Sequence, residues 1–595
     1  MADWHAAISP KGEDVSVTVN DSDTTPSLEF SSRRSPILSL NGSVSSSQPL
    51  ASSIGLRVLR EKGGNAADAA VAMAAALAVT EPCSTGLGGD MFALHYSESS
   101  RKVTATNGSG RAPGGLTLDA LRADCPGDGA GGISEAAFGE SAHVVTVPGA
   151  AAGWEDFLSR HGSGRLTFAE LLEPAAELAE GGFPVAPITA HHWSLGVDRL
   201  IKRWFPEGEE VPLTVDGKRG PRPGEVFRNP DMARVLRSLG SKGAMEGFYN
   251  GDAGMAIVSA VKKHGGLMSK EDLSSHRTTF PEPIHAEYRG TKLWQVPPNG
   301  QGIAGLIALK GLAALEDRGL VQRVSGPADL CHTKAETMHA LIEMMRLGFG
   351  DARAFVCDQD LEEGEVSPAK TNSWLLDDVR IGDRAAKIFD PAKSVVQGLP
   401  DPVSGTVSFQ IVDKDGDAVS FVNSNFMGFG TGIVPMGCGF SLQNRGFGFS
   451  LDPAHHNALA PGRRPYHTII PGIITHADTG ELYATISNMG GYMQPQGHLQ
   501  LTVGLVAAKL DPQAAVDMPR FCIADGTQAG KVFLEDGVRE EVLQSLEAMD
   551  HKIVSRVSGY GRSVFGKAQI IKRDRETGVL WAGSDGRADG CAMGY

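Results

Sequence analysis

The chain has 595 residues, of which 41% are hydrophobic and 21% charged, and its net charge at neutral pH is −15. These proportions are typical of a globular protein that forms one large domain or two closely packed ones. The negative charge and the absence of a long basic stripe argue against nucleic-acid binding, and no apolar run reaches the roughly 18 residues of a membrane-spanning helix.

The first part of the chain predicts an arm followed by two helices and a strand. Residues 1–32 are rich in Ser, Thr, Asp and Glu, so we expect a flexible N-terminal arm. A helix is predicted at residues 51–61. A second, alanine-rich helix begins after Asn65, an N-cap residue with the acidic Asp68 in the first turn. A glycine-rich loop then leads into a strand at residues 91–96.

The middle of the chain is mainly helical by pattern, and the last third is rich in strands. Apolar residues recur at spacings of three and four at residues 150–161, 168–180, 231–239 and 337–346. From Thr406 the alternation of apolar and polar residues predicts a β-hairpin, with strands at 406–412 and 418–422. Further strands are predicted at 472–475, 482–486 and 568–572, and helices at 499–508 and 540–549. This mixture without strict alternation is typical of sheets layered between helices.

Several common functional motifs are either absent from the sequence or lack the surrounding residues that their function requires. Residues 300–305 match G-x-G-x-x-G, which leaves a nucleotide-dependent oxidoreductase as one alternative. However, Pro297-Pro298 separates them from the preceding strand, and the first acidic residue, Glu316, comes earlier than the required roughly 20 positions. We therefore interpret these glycines as the start of a helix. Phosphate-loop, H-E-x-x-H and G-x-S-x-G motifs are absent.

The cysteines and histidines do not form a recognisable metal or disulfide pattern. Seven cysteines are scattered singly, without a C-x-x-C pair. The pairs His191-His192 and His455-His456 are adjacent in sequence and so cannot share a helix face. Neither end of the sequence carries a recognisable targeting signal. We expect no cofactor, no bound metal, no membrane partner and a cytoplasmic location.

A series of short motifs in a fixed order points to a specific chemistry. The motifs are Gly63-Gly64 followed by Asn65-Ala66-Ala67-Asp68, Thr80-Glu81-Pro82, Gly88-Gly89-Asp90, Val147-Pro148-Gly149, Pro297-Pro298 with Gln301-Gly302, Phe429-Gly430-Thr431-Gly432, Ser584-Asp585 and Gly594-Tyr595. Over roughly residues 33–595 the chain resembles the gamma-glutamyltranspeptidase family. The resemblance implies an α+β fold of the N-terminal-nucleophile hydrolase type, a four-layer αββα sandwich with two mainly antiparallel sheets between helices.

The resemblance also implies self-cleavage before a threonine. Gly405-Thr406 falls at the position where the family precursor is cut, so the expected products are a large subunit, residues 33–405, and a small subunit, residues 406–595, intertwined as one structural unit. Thr406 would supply the hydroxyl nucleophile and, after cleavage, an α-amine whose pKa of roughly 7.7–8.0 suits a general base. Without the resemblance, a threonine that opens a strand is best read as structural.

The resemblance assigns further candidate residues to the site. Gly490 and Gly491 correspond to the paired glycines of the oxyanion hole, and Ser424 to the hydroxyl that steadies the nucleophile. The family's substrate-binding pattern is altered, because its arginine position holds Ser109 and its aspartate position holds Gly448. The candidate substrate-binding residues are therefore Arg111, Asn425, Arg445, His467 and Thr468.

With these departures, the chain resembles the divergent branch of the family that includes oxamate amidohydrolase and gamma-glutamyl-like acylases. We expect an amidohydrolase or acyltransferase that cleaves a gamma-glutamyl amide, such as glutathione, through an acyl-enzyme, with hydrolysis or transfer to an amino acid. One alternative is a hydrolase of another small acyl amide such as oxamate. The other is an uncleaved relative that binds a partner without catalysis.

Overall fold

The computed structural model describes residues 34–127, 132–359, 371–395, 405–523 and 530–595. The arm predicted at residues 1–32 lies outside the described residues.

Helices and strands follow one another irregularly along the described residues. The strands are β1 (Ile37–Ser39), β2 (Ser43–Ser46), β3 (Asp90–Ser97), β4 (Lys102–Gly108), β5 (Phe183–Pro184), β6 (Val226–Phe227), β7 (Ile284–Tyr288), β8 (Thr291–Gln295), β9 (Gly405–Val412), β10 (Ala418–Phe426), β11 (Gly472–His476), β12 (Leu482–Asn488), β13 (Phe521–Ile523), β14 (Val532–Glu535), β15 (Ile553–Val557), β16 (Ala568–Arg573), β17 (Leu580–Ser584) and β18 (Cys591–Gly594).

The helices are α1 (Pro49–Arg60), α2 (Ala66–Thr80), α3 (Leu118–Asp124), α4 (Glu135–Glu140), α5 (Ala150–His161), α6 (Phe168–Gly181), α7 (Pro187–Gly196), α8 (Pro230–Ala244), α9 (Asp252–Lys263), α10 (Lys270–Ser274), α11 (Gly302–Asp317), α12 (Ala335–Phe355), α13 (Asn372–Leu375), α14 (Asp378–Ile388), α15 (Met493–Thr502), α16 (Pro512–Asp517) and α17 (Glu540–Ala548). Short 3-10 or π-helical segments occur at Ala142–Val144, Val197–Ile201, Lys202–Trp204, Met245–Tyr249, Pro327–Asp329, Arg445–Gly448, Val503–Ala507 and Gly559–Phe565.

Two large antiparallel sheets form the centre of the molecule. One has the strand order β1-β17-β16-β12-β11-β8-β7, and the other has the order β18-β2-β9-β10-β3-β4. Neighbouring strands are antiparallel throughout both sheets. Each sheet contains strands from before and after the bond between Gly405 and Thr406, so the two parts of the chain are interleaved.

The packing has four layers, in the order helix, sheet, sheet, helix. One core cluster lies between α1, α2, α5, α6 and α8 and the six-stranded sheet. A second lies between α11 and α15, backed by α12, and the seven-stranded sheet. A third joins the two sheets, with Phe92 and Val422 on one side and Ile473 and Ile571 on the other. The predicted α+β fold with αββα layering is confirmed.

The alanine-rich helix α2 shows how local sequence positions these layers. Asn65 and Asp68 form a capping box, with Asn65 Oδ1 accepting from the Asp68 N–H at 3.0 Å and Asp68 Oδ2 accepting from the Asn65 N–H at 3.0 Å. Every residue of α2 is buried between neighbouring helices and the sheet. Alanine side chains permit this close approach. The predicted helix is confirmed.

Other predicted elements agree in place and differ in length. The predicted hairpin corresponds to β9 and β10, and the second strand continues to Phe426. The helix predicted at 499–508 begins earlier, at Met493, and ends in the π-helical segment Val503–Ala507. Helix α11 begins at Gly302, so residues 300–305 contain the start of a helix, as we interpreted them from the sequence. All seven cysteines are free. Within the described ranges, none of the helices has both the length and the apolarity needed to span a bilayer.

We predict that acid destabilises this fold because buried histidines stay neutral in it. Burial lowers the pKa of His95, His467 and His498 to about 3 and that of His276 to about 4, from an ordinary 6.5. Below pH 6.5 the unfolded chain takes up protons at these residues while the folded chain does not, so the free energy of unfolding falls as pH falls toward about 4. Burial raises the pKa of Asp413 to about 6 and also raises the pKa of Glu316, Asp417 and Asp517, and these four carboxyl groups oppose the trend.

Denaturant titrations across this pH range measure the effect. The expected result is a denaturation midpoint that falls steadily on acidification. A midpoint that is constant or rises would contradict the prediction. Replacing His498 with Gln is expected to reduce the slope, since it removes one of the titrating groups.

Candidate active site

Thr406 lies at the beginning of β9, in the space between the two large sheets. Val407 and Phe409 point into the helix-side core, so alternate residues of the strand face the other sheet. On that side, Gln410 Nε2 donates a hydrogen bond of 2.6 Å to Ser487 Oγ of β12. Thr406 shares this inward face and is 1% exposed.

A bulge in β10 brings Ser424 to the hydroxyl of Thr406. The pairing of β9 with β10 is regular up to Asn423 and shifts before Phe426. Ser424 Oγ lies 3.1 Å from Thr406 Oγ1 and accepts a hydrogen bond of 2.9 Å from the Phe426 N–H. Phe426 has φ +77°, in the region that favours glycine, so the bulge carries backbone strain beside the candidate nucleophile.

Gln494 also contacts Thr406, and sequence reasoning missed it. Its Nε2 donates to Thr406 Oγ1 at 3.4 Å, while its Oε1 accepts from the Ile470 N–H at 2.9 Å. The second bond fixes the amide so that its NH2 group faces the hydroxyl. No local sequence motif distinguishes Gln494 from the other glutamines of α15.

Gly490 and Gly491 form the turn between β12 and α15. Both have positive φ, +118° and +59° respectively, a backbone conformation that residues with a Cβ rarely adopt. Their carbonyl groups accept from the N–H groups of Met493 and Gln494, at 3.0 Å and 3.1 Å. The turn therefore begins the same helix that carries Gln494 to Thr406. The predicted oxyanion-hole role of these two glycines stays a prediction.

Arg445 is a buried cation beside Ser424. Its guanidinium donates to Thr468 Oγ1 at 2.7 Å and to Ser424 Oγ at 3.4 Å, and its Cζ lies 4.2 Å from the centre of the Phe426 ring. Its Nε has no hydrogen-bond partner among the described residues. Burial lowers its pKa to about 9, and the charge of Asp90 opposes this shift, so the guanidinium remains charged at neutral pH.

Asp90, the acidic residue that influences Arg445, is already fully engaged. Its Oδ1 accepts from the N–H groups of Gly110 and Gly149, both at 3.0 Å, and from Gln443 Nε2 at 2.9 Å. Its Oδ2 accepts from His467 Nε2 at 3.1 Å. The described residues therefore give Arg445 no contacting carboxylate, which leaves its charge available to an anionic ligand.

His467 lies in this buried polar cluster. Its Nδ1 accepts from the Ile469 N–H at 3.3 Å, so the proton sits on Nε2, which donates to Asp90. Its ring stacks on Phe92 with centroids 4.5 Å apart. Burial raises the pKa of Asp90, but the hydrogen bonds from His467 and Gln443 and the charge of Arg445 reverse this shift and hold it below its ordinary value. The arrangement is a neutral histidine on an ionised aspartate, and it fixes the segment that carries the next residue, Thr468, a hydrogen-bond partner of Arg445.

Two other predicted binding residues are engaged elsewhere. Arg111 donates to Asp358 Oδ2 and to the Gly462 carbonyl oxygen, each at 3.0 Å, and its side chain is 32% exposed. Asn425 is buried, and its Nδ2 donates to the Pro82 carbonyl oxygen at 3.4 Å. Of the predicted binding residues, the structure brings Arg445 and Thr468 together at Ser424 and Thr406.

The position of the family arginine, Ser109, lies next to a different arginine. Arg464 Nε donates to the Ser109 carbonyl oxygen at 3.0 Å, and its Nη2 donates to the Arg277 carbonyl oxygen at 3.2 Å. Arg464 was not among the predicted binding residues. Its contact with Ser109 depends on the packing of two segments that are distant in sequence, so no local pattern could have predicted it.

Known proteins resemble this chain over nearly its whole length. A profile described as gamma-glutamyltranspeptidase matches residues 51–595. The glutathione hydrolase-like YwrD proenzyme of Bacillus subtilis is 33% identical over 552 residues, covering 92% of this chain and 97% of the relative. The oxamate amidohydrolase proenzyme of Klebsiella pneumoniae is 32% identical over 564 residues, covering 94% and 99% respectively. The crystal structure of cephalosporin acylase from Bacillus halodurans matches with a TM-score of 0.82 at 37% identity, covering 97% of this chain and 99% of that one.

Proposed function

The chain belongs to the gamma-glutamyltranspeptidase family, and from this premise we propose that it is a self-cleaving amidohydrolase that acts on the amide of a small anionic acyl group. The observation that carries the proposal is Arg445, a buried guanidinium that contacts Ser424, which in turn contacts Thr406. Thr406 is the proposed nucleophile for both self-cleavage and turnover.

Self-cleavage can use the groups that already surround Thr406, together with one water molecule. Thr406 Oγ loses its proton and attacks the Gly405 carbonyl carbon, the C–N bond breaks, the proton passes to the departing Thr406 nitrogen, and the acyl group remains on Oγ as an ester. Water then hydrolyses the ester, which releases the Gly405 carboxylate and leaves the α-amine and hydroxyl of Thr406 free. Ser424 and Gln494, at 3.1 Å and 3.4 Å from Oγ1, hold the hydroxyl during the attack.

Turnover repeats the same attack on a substrate amide. The Thr406 α-amine takes the Oγ proton as Oγ adds to the amide carbon, and the proton then passes to the departing amine. The N–H groups of Gly490 and Gly491 are the proposed donors to the oxyanion. The positive φ values of these two glycines are the backbone feature that supports this role. Water attacks the resulting ester and releases the acid.

The short path from Arg445 to Thr406 favours an acyl group with a carboxylate near the scissile carbonyl. The contacts from the guanidinium to Ser424 and from Ser424 to Thr406 measure 3.4 Å and 3.1 Å. In oxamate the carboxylate carbon is bonded directly to the amide carbon, whereas a gamma-glutamyl group places three carbons between them. A carboxylate held by Arg445 therefore fits the shorter acyl group better.

The glycine at the family's aspartate position argues further against a substrate α-ammonium. The family's aspartate position is Gly448, and Asp90 already accepts four hydrogen bonds. A buried ammonium without a carboxylate partner is costly. Monoamides of dicarboxylic acids, which carry no ammonium, are thus the proposed substrates. Gamma-glutamyl compounds are the second candidate, favoured by the relative named as glutathione hydrolase-like.

Three substrates separate these possibilities. Glutaryl-p-nitroanilide and gamma-glutamyl-p-nitroanilide differ only in the α-amine, and oxamate tests the short acyl group. We expect the cleaved protein to have a higher kcat/KM for oxamate or glutaryl-p-nitroanilide than for gamma-glutamyl-p-nitroanilide. The reverse order would establish the second candidate, and no turnover of any of the three by correctly cleaved protein would refute the proposed substrate class. Addition of glycylglycine measures transfer against hydrolysis.

Gln494 is predicted to be a further catalytic residue. Because its amide donates to Thr406 Oγ1, replacing it with Met should lower kcat about 100-fold, the typical cost of one donor at a reacting oxygen. The rate of self-cleavage, followed on a denaturing gel, should fall with it.

A matched control is Gln500→Met in the same helix. Gln500 is also buried and donates to the Gln496 and Phe521 carbonyl oxygens, but it does not contact Thr406. Its loss should reduce stability without a selective loss of kcat. Wild-type kcat in a folded Gln494→Met protein would show that the contact is not catalytic.

A further inference from the structure

A second group of chemically active side chains lies away from Thr406, behind the seven-stranded sheet. His339 and Glu343 are one turn apart on α12, and His551 lies between α17 and β15. All three are buried, and one ligand atom from each lies within 4.8 Å of the other two. Across the described ranges, this is the one group of at least three His, Cys, Asp or Glu residues with such spacing.

The hydrogen bonds of His339 orient it as a metal ligand. Its Nε2 lies 2.7 Å from the carbonyl oxygen of Asp390, which can only accept, so Nε2 carries the proton. Its Nδ1 then presents a lone pair toward His551 Nε2, 2.8 Å away. A histidine that donates one ring N–H to a backbone carbonyl and directs the other nitrogen inward is the usual arrangement at metal sites.

His551 and Glu343 complete a suitable set of ligands. Glu343 Oε2 accepts from the Val395 N–H at 3.2 Å, and its Oε1 is paired with Arg346 at 2.6 Å, so the carboxylate is held in place. Two imidazoles and one carboxylate with a fourth position for water match the preference of Zn²⁺. Binding requires the His551 proton to move from Nε2 to Nδ1, which has no partner among the described residues. Arg346 opposes the added positive charge and limits the affinity.

We propose that His339, Glu343 and His551 bind one Zn²⁺ ion. His339 and Glu343 precede the bond between Gly405 and Thr406, and His551 follows it. The ion therefore joins the two chains that self-cleavage produces, and this consequence alone rests on the proposed function. The site was not visible in the sequence, because His551 is more than two hundred positions from the other two ligands and only the packing of the chain brings it to them.

Metal binding is measured on the whole protein. Wild type and Thr406→Ala are dialysed against chelator, loaded with equimolar Zn²⁺ or Co²⁺, freed of unbound ion and analysed by mass spectrometry of the metal and by visible absorption. We expect about one ion per protein in both, with the intense bands of tetrahedral Co²⁺. His551→Gln should lose the ion. His332→Gln, which removes a half-buried histidine outside the group, should retain it.

Thermal denaturation gives a second readout that does not depend on activity. Zn²⁺ should raise the Tm of wild type, Thr406→Ala and His332→Gln, and leave that of His551→Gln unchanged. No stoichiometric ion and no Tm shift in wild type would overturn the proposal, whether or not the variants fold. Because Thr406→Ala is included, a failure of self-cleavage would not be confused with a failure of metal binding.

Discussion

Thr406→Ala is expected to remain a single uncut chain of 595 residues without amidase activity, whereas the wild type separates into residues 1–405 and 406–595. Alanine lacks the Oγ that attacks Gly405, and without cleavage no free α-amine exists at residue 406. The loss of turnover should exceed about 10⁴-fold, the usual scale for removal of a catalytic nucleophile. Intact mass and N-terminal sequencing of the fragments measure cleavage, and amide hydrolysis measures turnover.

Two further variants make this result specific. Thr406→Ser keeps the hydroxyl, so it should still cleave and turn over, more slowly because the γ-methyl that restricts the rotamer is gone. Thr485→Ala removes another buried threonine, on β12, whose hydroxyl makes only a 3.5 Å hydrogen bond, and it should cleave normally. Cleavage of Thr406→Ala at the same bond would refute the proposed nucleophile. An uncut and inactive wild type would instead favour a non-enzymatic binding relative.

The elements that were predicted correctly from the sequence are those determined by residues close to one another along the chain. Asn65, the predicted N-cap, and Asp68 in the first turn lie within four consecutive positions, and the β9–β10 hairpin is closed by a short turn, so a local pattern is sufficient to identify both. The layering followed from the family resemblance. Strand β2, Ser43–Ser46, was not predicted, because three of its four residues are serines and its pairing with β9 and β18 joins distant segments.

Thr406 was named as the nucleophile from the family resemblance, and this role stays a prediction. The residues that contact Thr406 were harder to identify from the sequence. Ser424 was named from the resemblance, but the bulge that directs it to Thr406 has no pattern of its own. Gln494 lies 88 positions from Thr406, and its role depends on the turn of Gly490 and Gly491 that precedes its helix. Contacts of this kind arise from tertiary packing, which no local spacing records.

Arg445 illustrates the same limit for electrostatics. The sequence offered Arg111 and Arg445 as equal candidates for a substrate carboxylate. The structure distinguishes them, since Arg111 is partly exposed and paired with Asp358, while Arg445 is buried without a contacting carboxylate among the described residues. Burial and pairing, rather than residue type, decide which charge is available to a ligand.

Arg445→Met is therefore expected to lower kcat/KM for oxamate about 10²- to 10³-fold, because a buried charge pair with the substrate is worth about 2–5 kcal/mol. Arg445→Lys should recover only part of the loss, since an ammonium cannot reproduce the planar fork of donors. Arg111→Gln is the matched control and should change kcat/KM little. Steady-state assays with oxamate and with its uncharged analogue oxamide isolate the charge, because only oxamate should respond to Arg445.

The accompanying stability and cleavage results separate recognition from folding. Arg445 has no carboxylate contact to lose, so Met in its place should leave Tm unchanged or raise it, as replacement of buried charges by apolar residues often does. Self-cleavage should continue, since the Gly405 carbonyl carries no carboxylate for Arg445 to bind. A variant that cleaves, folds stably and still hydrolyses oxamate at the wild-type rate would show that Arg445 does not bind the substrate. Equal losses for oxamate and oxamide would instead mean that Arg445 acts through Ser424 on the nucleophile, since that contact is made whether or not the substrate is charged.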